Sequence, residues 1–181
     1  YTPALREQVE REIILPTVEA LNAEGRPFQG VIFFGLMLTD KGPKVLEYNA
    51  RLGDPEAQSV LFRMRTDLLD VMEAVIDGTL DQITLEFDSS PAVCVVMASG
   101  GYPGNYEKGK EIFGLDAVDR DVMVFHAGTA QRDGRFYTNG GRVLGVPAMG
   151  ADMAAAREKA YANVAKIHFD GAHFRTDIGI K

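Results

Sequence analysis

The sequence predicts an α/β protein built from two modules, and three features of its 181 residues carry that expectation. A helical repeat of apolar residues opens the chain, a β-branched and aromatic hairpin follows it, and the second half breaks into short strands with glycine-rich turns before a last helical stretch. With 46% apolar residues there is enough to build a core in one medium domain or two small ones.

The elements follow in order. From Pro3 to Glu24, Leu5, Val9, Ile13 and Leu21 recur at helical spacing, and Gly25-Arg26-Pro27 ends the segment, so one amphipathic helix is expected. Residues 30–39 are too rich in Val, Ile and Phe for a surface helix. Asp40-Lys41-Gly42 supplies a turn before Lys44-Val45-Leu46-Glu47-Tyr48-Asn49, which completes a β-hairpin. At Gly53-Asp54-Pro55-Glu56, an Asp able to cap, a Pro suited to the first helical position and an acidic first turn start another helix. A further helix runs from Thr66 to Asp77, with Leu68, Leu69, Met72, Val75 and Ile76 on one side and Gly78 as its stop. The polar stretch 81–91 marks the boundary between modules at 1–89 and 90–181. Strands are expected at Ala92–Ala98, Val122–His126, Gly134–Thr138 and Arg142–Val146, then a helix from Asp152 to Ile167 with Ala156, Ala160, Val164 and Ile167 inward.

Composition narrows the functional classes. A formal net charge of -7 without clustered Lys and Arg argues against a nucleic-acid surface, because counterion release needs such clusters. No apolar run reaches the roughly 18 residues of a membrane span, and the first residues lack a signal peptide's pattern, so no membrane partner and a cytoplasmic location are expected. The single cysteine, Cys94, lies in the apolar run Val93-Cys94-Val95-Val96-Met97 and reads as a small buried hydrophobe.

Glu47 and Asn49 stand two apart on a strand, so both side chains leave one face and offer carboxylate and amide oxygens. That set suits Mg²⁺ or Mn²⁺ shared with phosphate oxygens, and it equally suits a polar exposed face. Arg51 continues the series if the strand persists. Its guanidinium would then hold a carboxylate or phosphate, or else pair with Asp54 or Glu56. Gly53 would let the backbone approach an anion or simply make the turn. In Ser99-Gly100-Gly101-Tyr102-Pro103-Gly104, consecutive small residues after a strand would aim N–H groups at a phosphate or form a plain tight turn. Arg142, after Asn139-Gly140-Gly141, would face solvent or reach a substrate phosphate, and His126 would transfer a proton or be satisfied by its surroundings.

The longer run Leu46-Glu47-Tyr48-Asn49-Ala50-Arg51-Leu52-Gly53-Asp54-Pro55-Glu56 resembles the metal and acyl-phosphate motif of the glycinamide ribonucleotide synthetase family, ATP-grasp ligases of purine synthesis. So do Gly35-Leu36-Met37-Leu38-Thr39, residues 96–104, Phe125-His126-Ala127-Gly128-Thr129, residues 139–144 and Arg175-Thr176-Asp177-Ile178-Gly179. The resemblance implies the C-terminal half of an ATP-grasp domain followed by a small, mostly β domain with a packing helix. It implies ligation of glycine to 5-phosphoribosylamine through glycyl phosphate, with ATP as co-substrate and Mg²⁺ or Mn²⁺ as cofactor. Glu47 and Asn49 would bind the metal, Arg51 would be catalytic, and Arg51, Gly53, Asp54, Ser99, Gly100, Gly101 and Arg142 would bind substrates. Relatives in the superfamily place a second acidic ligand where Gly35 stands, so one ion is expected. Tyr1-Thr2-Pro3-Ala4 resembles the segment after the family's glycine-rich ATP loop, so that loop and the N-terminal part of the enzyme would be partners of this chain, which is expected to be inactive alone. A related ATP-grasp carboxylase or ligase, and a non-catalytic binding or assembly module, are the alternatives.

Overall fold

The computed structural model describes residues 2–180. The helix expected at the start is a continuous helical run in three pieces: α1 (Pro3–Val9), a π-helical turn (Glu10–Ile14) and α2 (Leu15–Ala23). Thr2 caps it by accepting from the Leu5 N–H, and Tyr1, placed by resemblance after the ATP loop, lies outside the described residues. Strands β1 (Phe33–Thr39) and β2 (Gly42–Asn49) form an antiparallel hairpin whose two-residue turn is followed by Gly42 at φ 88°. The register slips between Gly35 and Leu36: Gly35 faces Glu47, Leu36 faces Val45, and Leu46 is the extra residue of a bulge. α3 spans Glu56–Arg63 and α4 spans Leu68–Asp77, capped by the Asp67 carboxylate accepting from Leu69 and stopped by Gly78 at φ 69°.

One local expectation changes. Asp54 does not cap α3; Pro55 occupies the cap position without a side-chain bond. The Asp54 carboxylate instead accepts from Gln58 Nε2 at 2.6 Å through one oxygen and lies 3.6 Å from Arg142 through the other.

The second half holds two three-stranded antiparallel sheets. One orders β3 (Ala92–Ala98), β8 (Arg142–Met149) and β5 (Phe125–His126), with β8 central. The other orders β4 (Glu111–Ile112), β7 (Arg135–Thr138) and β6 (Thr129–Arg132). Of the strand expected at Val122–His126 only the last two residues pair; Val122 closes a turn onto the Asp119 carbonyl and is buried in the core, so its apolar character serves packing rather than a ladder. Helix α5 (Met153–Val164), capped by Asp152 on the Ala155 N–H, packs on β3 and β8. Its Ala156, Ala160 and Val164 meet Val93, Val95, Met97, Val143 and Val146 in one core, joined by Ile167 from beyond the helix end.

By packing the chain divides into two compact units that alternate along it. Residues 1–53 and 67–84 form the first; 54–66 and 85–181 form the second, so α3 belongs with the later sheets and α4 with the hairpin unit. The first unit buries few aliphatic side chains, Val9, Ile13 and Ala74, and leaves Leu69, Met72 and Ile76 of α4 exposed. The second contains the large core. Among the described residues no helix is long and apolar enough to cross a membrane.

Candidate active site

In the first unit the hairpin places Glu47 and Asn49 on one face of β2, as their two-residue spacing requires. Asn49 Nδ2 donates to Glu47 Oε1 at 3.2 Å, which leaves Asn49 Oδ1 and Glu47 Oε2 as the open oxygens of the pair. Both are hard donors of the kind Mg²⁺ prefers. Two oxygens fill only part of an octahedral shell, and among the described residues no group of three or more His, Cys, Asp or Glu is gathered for a metal. The pair therefore fits an ion that completes its shell with phosphate and water, and does not fit a resident protein-enclosed ion.

The strand ends at Asn49, and residues 50–51 bend away, so Arg51 does not continue the alternating series by strand geometry. Its exposed guanidinium donates to the Leu52 carbonyl at 3.3 Å. Gly53 is buried and ends the unit's first segment. A cleft of about 750 Å³ lies between α2 and β2, lined by Ile13, Pro16, Thr17, Tyr48 and Asn49 among others. Its walls are mainly apolar, which suits a packing partner better than a phosphate.

In the second unit three turns converge. Ser99, buried at the end of β3, donates its N–H to the Gly141 carbonyl and its Oγ to the Gly140 carbonyl, both at 2.8 Å. Both of its donors are thereby committed to the facing loop. The N–H groups of Gly100 and Gly101 donate to no backbone carbonyl among the described residues. Gly101, at φ 94°, lies so close to the Asn105 carbonyl that a side chain there would collide with it. From the third turn, the Gly128 N–H reaches the Arg142 carbonyl at 2.9 Å. Arg142 Nη1 donates to the Asp54 carbonyl and pairs with the Asp54 carboxylate, so two residues singled out by sequence, 88 positions apart, meet at the start of α3.

Two family models match the chain: the ATP-grasp (A) domain of phosphoribosylglycinamide synthetase over residues 1–57 and its C domain over residues 92–181. Curated relatives agree. The phosphoribosylamine–glycine ligase of Rhodopirellula baltica is 53% identical over 177 residues, 96% of this chain and 40% of that protein. That of Synechocystis is 50% identical over 182 residues, 99% of this chain and 43% of that protein. The chain belongs to the phosphoribosylamine–glycine ligase family. The crystal structure of the Thermotoga maritima ligase matches with a TM-score of 0.84 at 36% identity, over 98% of this chain and 44% of that one. The chain thus spans about two fifths of the length of the ligases it matches.

Within the ligase fold the remaining expectations sort on geometry. His126 Nδ1 lies 3.0 Å from Thr129 Oγ1, its ring packs against Phe136, and burial lowers its pKa, so near neutral pH it is an uncharged, partnered imidazole. Gln58 escaped the sequence reading. It bonds Asp54 through Nε2 while its Oε1 is buried without a partner among the described residues. Its place four residues after Asp54 in a helix-starting segment is the signal that could have found it.

Cys94 is mostly buried, and burial, aided by the Asp54 charge, pushes its thiol up to about 12. Only the thiolate reacts with disulfide reagents, and a free cysteine ionises near 8.5. At pH 8 the native thiol is therefore expected to label roughly a thousandfold more slowly than the same cysteine in denaturant. Comparable rates in a stopped-flow dithiobis-nitrobenzoate assay would mean the site opens freely.

Proposed function

We propose that the full-length protein carrying this chain joins glycine to 5-phosphoribosylamine, cleaving ATP to ADP and phosphate, in the cytoplasm. The observation that carries this reading is the Glu47–Asn49 oxygen pair on the hairpin with Arg51 two residues on, in a chain about half identical to curated ligases over nearly its whole length. Those relatives carry the ligase name over this region, which favours glycine ligation over a related carboxylase or a non-catalytic module.

Each residue then has a task. Glu47 and Asn49 would hold the divalent ion through Oε2 and Oδ1. When bound, that ion supplies charge neutralisation to the phosphate oxygens of ATP. Arg51, which among the described residues donates only weakly, to the neighbouring Leu52 carbonyl, would turn its fork toward the glycine carboxylate and the acyl phosphate made from it. Gly53 would let the chain pass close to that anion. In the second unit the N–H groups of Gly100 and Gly101, which donate to no backbone carbonyl among the described residues, would with Arg142 receive the substrate phosphate. Ser99 would hold their loop in place, and Asp54 would orient Arg142. The division at 1–89 and 90–181 is taken as one between the ATP-grasp part and the C-terminal domain, with the preceding part of the enzyme supplying most ATP contacts.

ADP release measured with glycine and phosphoribosylamine, separately and together, tests the proposal. Release that requires both amine and amino acid is expected. Release that requires bicarbonate, or that ignores glycine, would replace it with the carboxylase reading.

A further inference from the structure

We propose that Gly35 is a positioning residue for the Glu47 carboxylate: its missing side chain is the space into which the root of Glu47 folds to reach Asn49. The inference rests on the reading of Glu47 and Asn49 as cation ligands and adds to it a residue that touches no ligand.

A glycine inside a strand weakens it, so its presence calls for a reason. Backbone conformation supplies none, since Gly35 is absent from the residues with positive φ. Contact does. A Cβ at residue 35 would lie 2.9 Å from Glu47 Cγ, well inside van der Waals distance, while the next nearest atoms, the Glu47 carbonyl oxygen and nitrogen at 3.5 and 3.7 Å, would be ordinary neighbours. Among the described residues, the three atoms nearest to that position all belong to Glu47.

The bulge explains why these two residues meet. With Leu46 as the extra residue, Val45 pairs with Leu36 but Glu47 pairs with Gly35, so Glu47 is turned onto the face opposite Val45. Directly opposed residues on one face of an antiparallel pair have their first side-chain atoms about 4.5 to 5.5 Å apart. At Gly35 there is no such atom, and the Glu47 chain lies across the gap, with Oε1 3.2 Å from Asn49 Nδ2. A methyl group at residue 35 would leave the strand backbone where it is. It would force Glu47 into another χ1 rotamer, and the carboxylate would swing away from Asn49.

The test reads the cation directly. In the full-length protein with a non-hydrolysable ATP analogue, Mn²⁺ binding is titrated by electron paramagnetic resonance. Gly35→Ala is expected to raise the Mn²⁺ Kd about tenfold or more, the usual size of an effect on ligand orientation. Glu47→Gln is expected to raise it as well. If Glu47→Gln raises the Kd and Gly35→Ala does not, the cation site stands and the role of Gly35 is overturned. If Glu47→Gln leaves Mn²⁺ binding unchanged, the cation reading fails and this proposal fails with it. Melting temperatures separate positioning from damage to the strand. Any loss of stability in Gly35→Ala should vanish on a Glu47→Ala background, because the collision partner is then gone. A loss that persists there would show that the methyl strikes something other than Glu47 and would overturn the assignment.

Discussion

Glu47→Gln in the full-length protein is expected to lower turnover by at least roughly a hundredfold, with part of the loss recovered at high Mg²⁺. The substitution is nearly isosteric, and a Gln side-chain oxygen can still accept from Asn49 Nδ2, so the bond across the strand face can survive. What is removed is one full negative charge from a pair that offers only two oxygens to begin with. An ion held by many protein ligands would tolerate the change; one held by two would not. The Mg²⁺ concentration giving half-maximal rate should therefore rise, and excess metal should restore occupancy without fully restoring geometry. The competing reading is a polar strand face exposed to water. It predicts identical Mg²⁺ dependence for both proteins, and that result would remove the metal from this strand.

The parts of the fold legible in the sequence are those in which one local signal is unopposed. Strand β3 coincides with the apolar run Ala92–Ala98, and α5 buries Ala156, Ala160 and Val164, as their spacing implies. Asp67, Gly78 and Asp152 stand where cap and stop residues belong. The parts that differ have separate causes. Asp54 carries a good capping signal, but Gln58 donates to one of its carboxylate oxygens and Arg142, distant in sequence, stands beside the other. Thr129–Arg132 lacks the apolar alternation that marks a strand, although Asp133-Gly134, with φ 47° and 77°, is a strong hairpin signal that pairs it with β7.

The candidate site divides the same way. Glu47 and Asn49 share a face because strand spacing is local, and their readability follows from that. The bulge at Leu46 has no comparable local mark, yet it decides which face they share and sets Glu47 against Gly35. The meeting of Ser99 with Gly140 and Gly141 depends on the pairing of β3 with β8, which a single sequence does not state.

Arg51→Lys is expected to reduce the specificity constant for glycine by about thirtyfold to a thousandfold, although it preserves the charge. Arg51 is exposed, lies beyond the end of β2, and among the described residues its guanidinium donates only to the Leu52 carbonyl at 3.3 Å. Such a contact positions the side chain weakly, so its main use must come from a ligand or from nothing. If the fork receives the glycine carboxylate and then the acyl phosphate through two parallel hydrogen bonds, lysine cannot reproduce the geometry. Losing a charge-assisted contact of this kind costs about 2 to 4 kcal/mol of transition-state stabilisation. The loss should fall on glycine saturation and on the chemical step, because those are the events that present a carboxylate to Arg51. ATP affinity should hardly change, since most nucleotide contacts in this reading come from the preceding part of the enzyme. If Arg51 serves only as a surface charge, a lysine does the same work, and exposed pairs contribute about 0 to 1 kcal/mol at most. Steady-state kinetics with glycine and ATP varied separately distinguish the two: near-wild-type constants for glycine would take Arg51 out of the active site, and an equal loss for both substrates would point to a distorted loop instead of a missing fork.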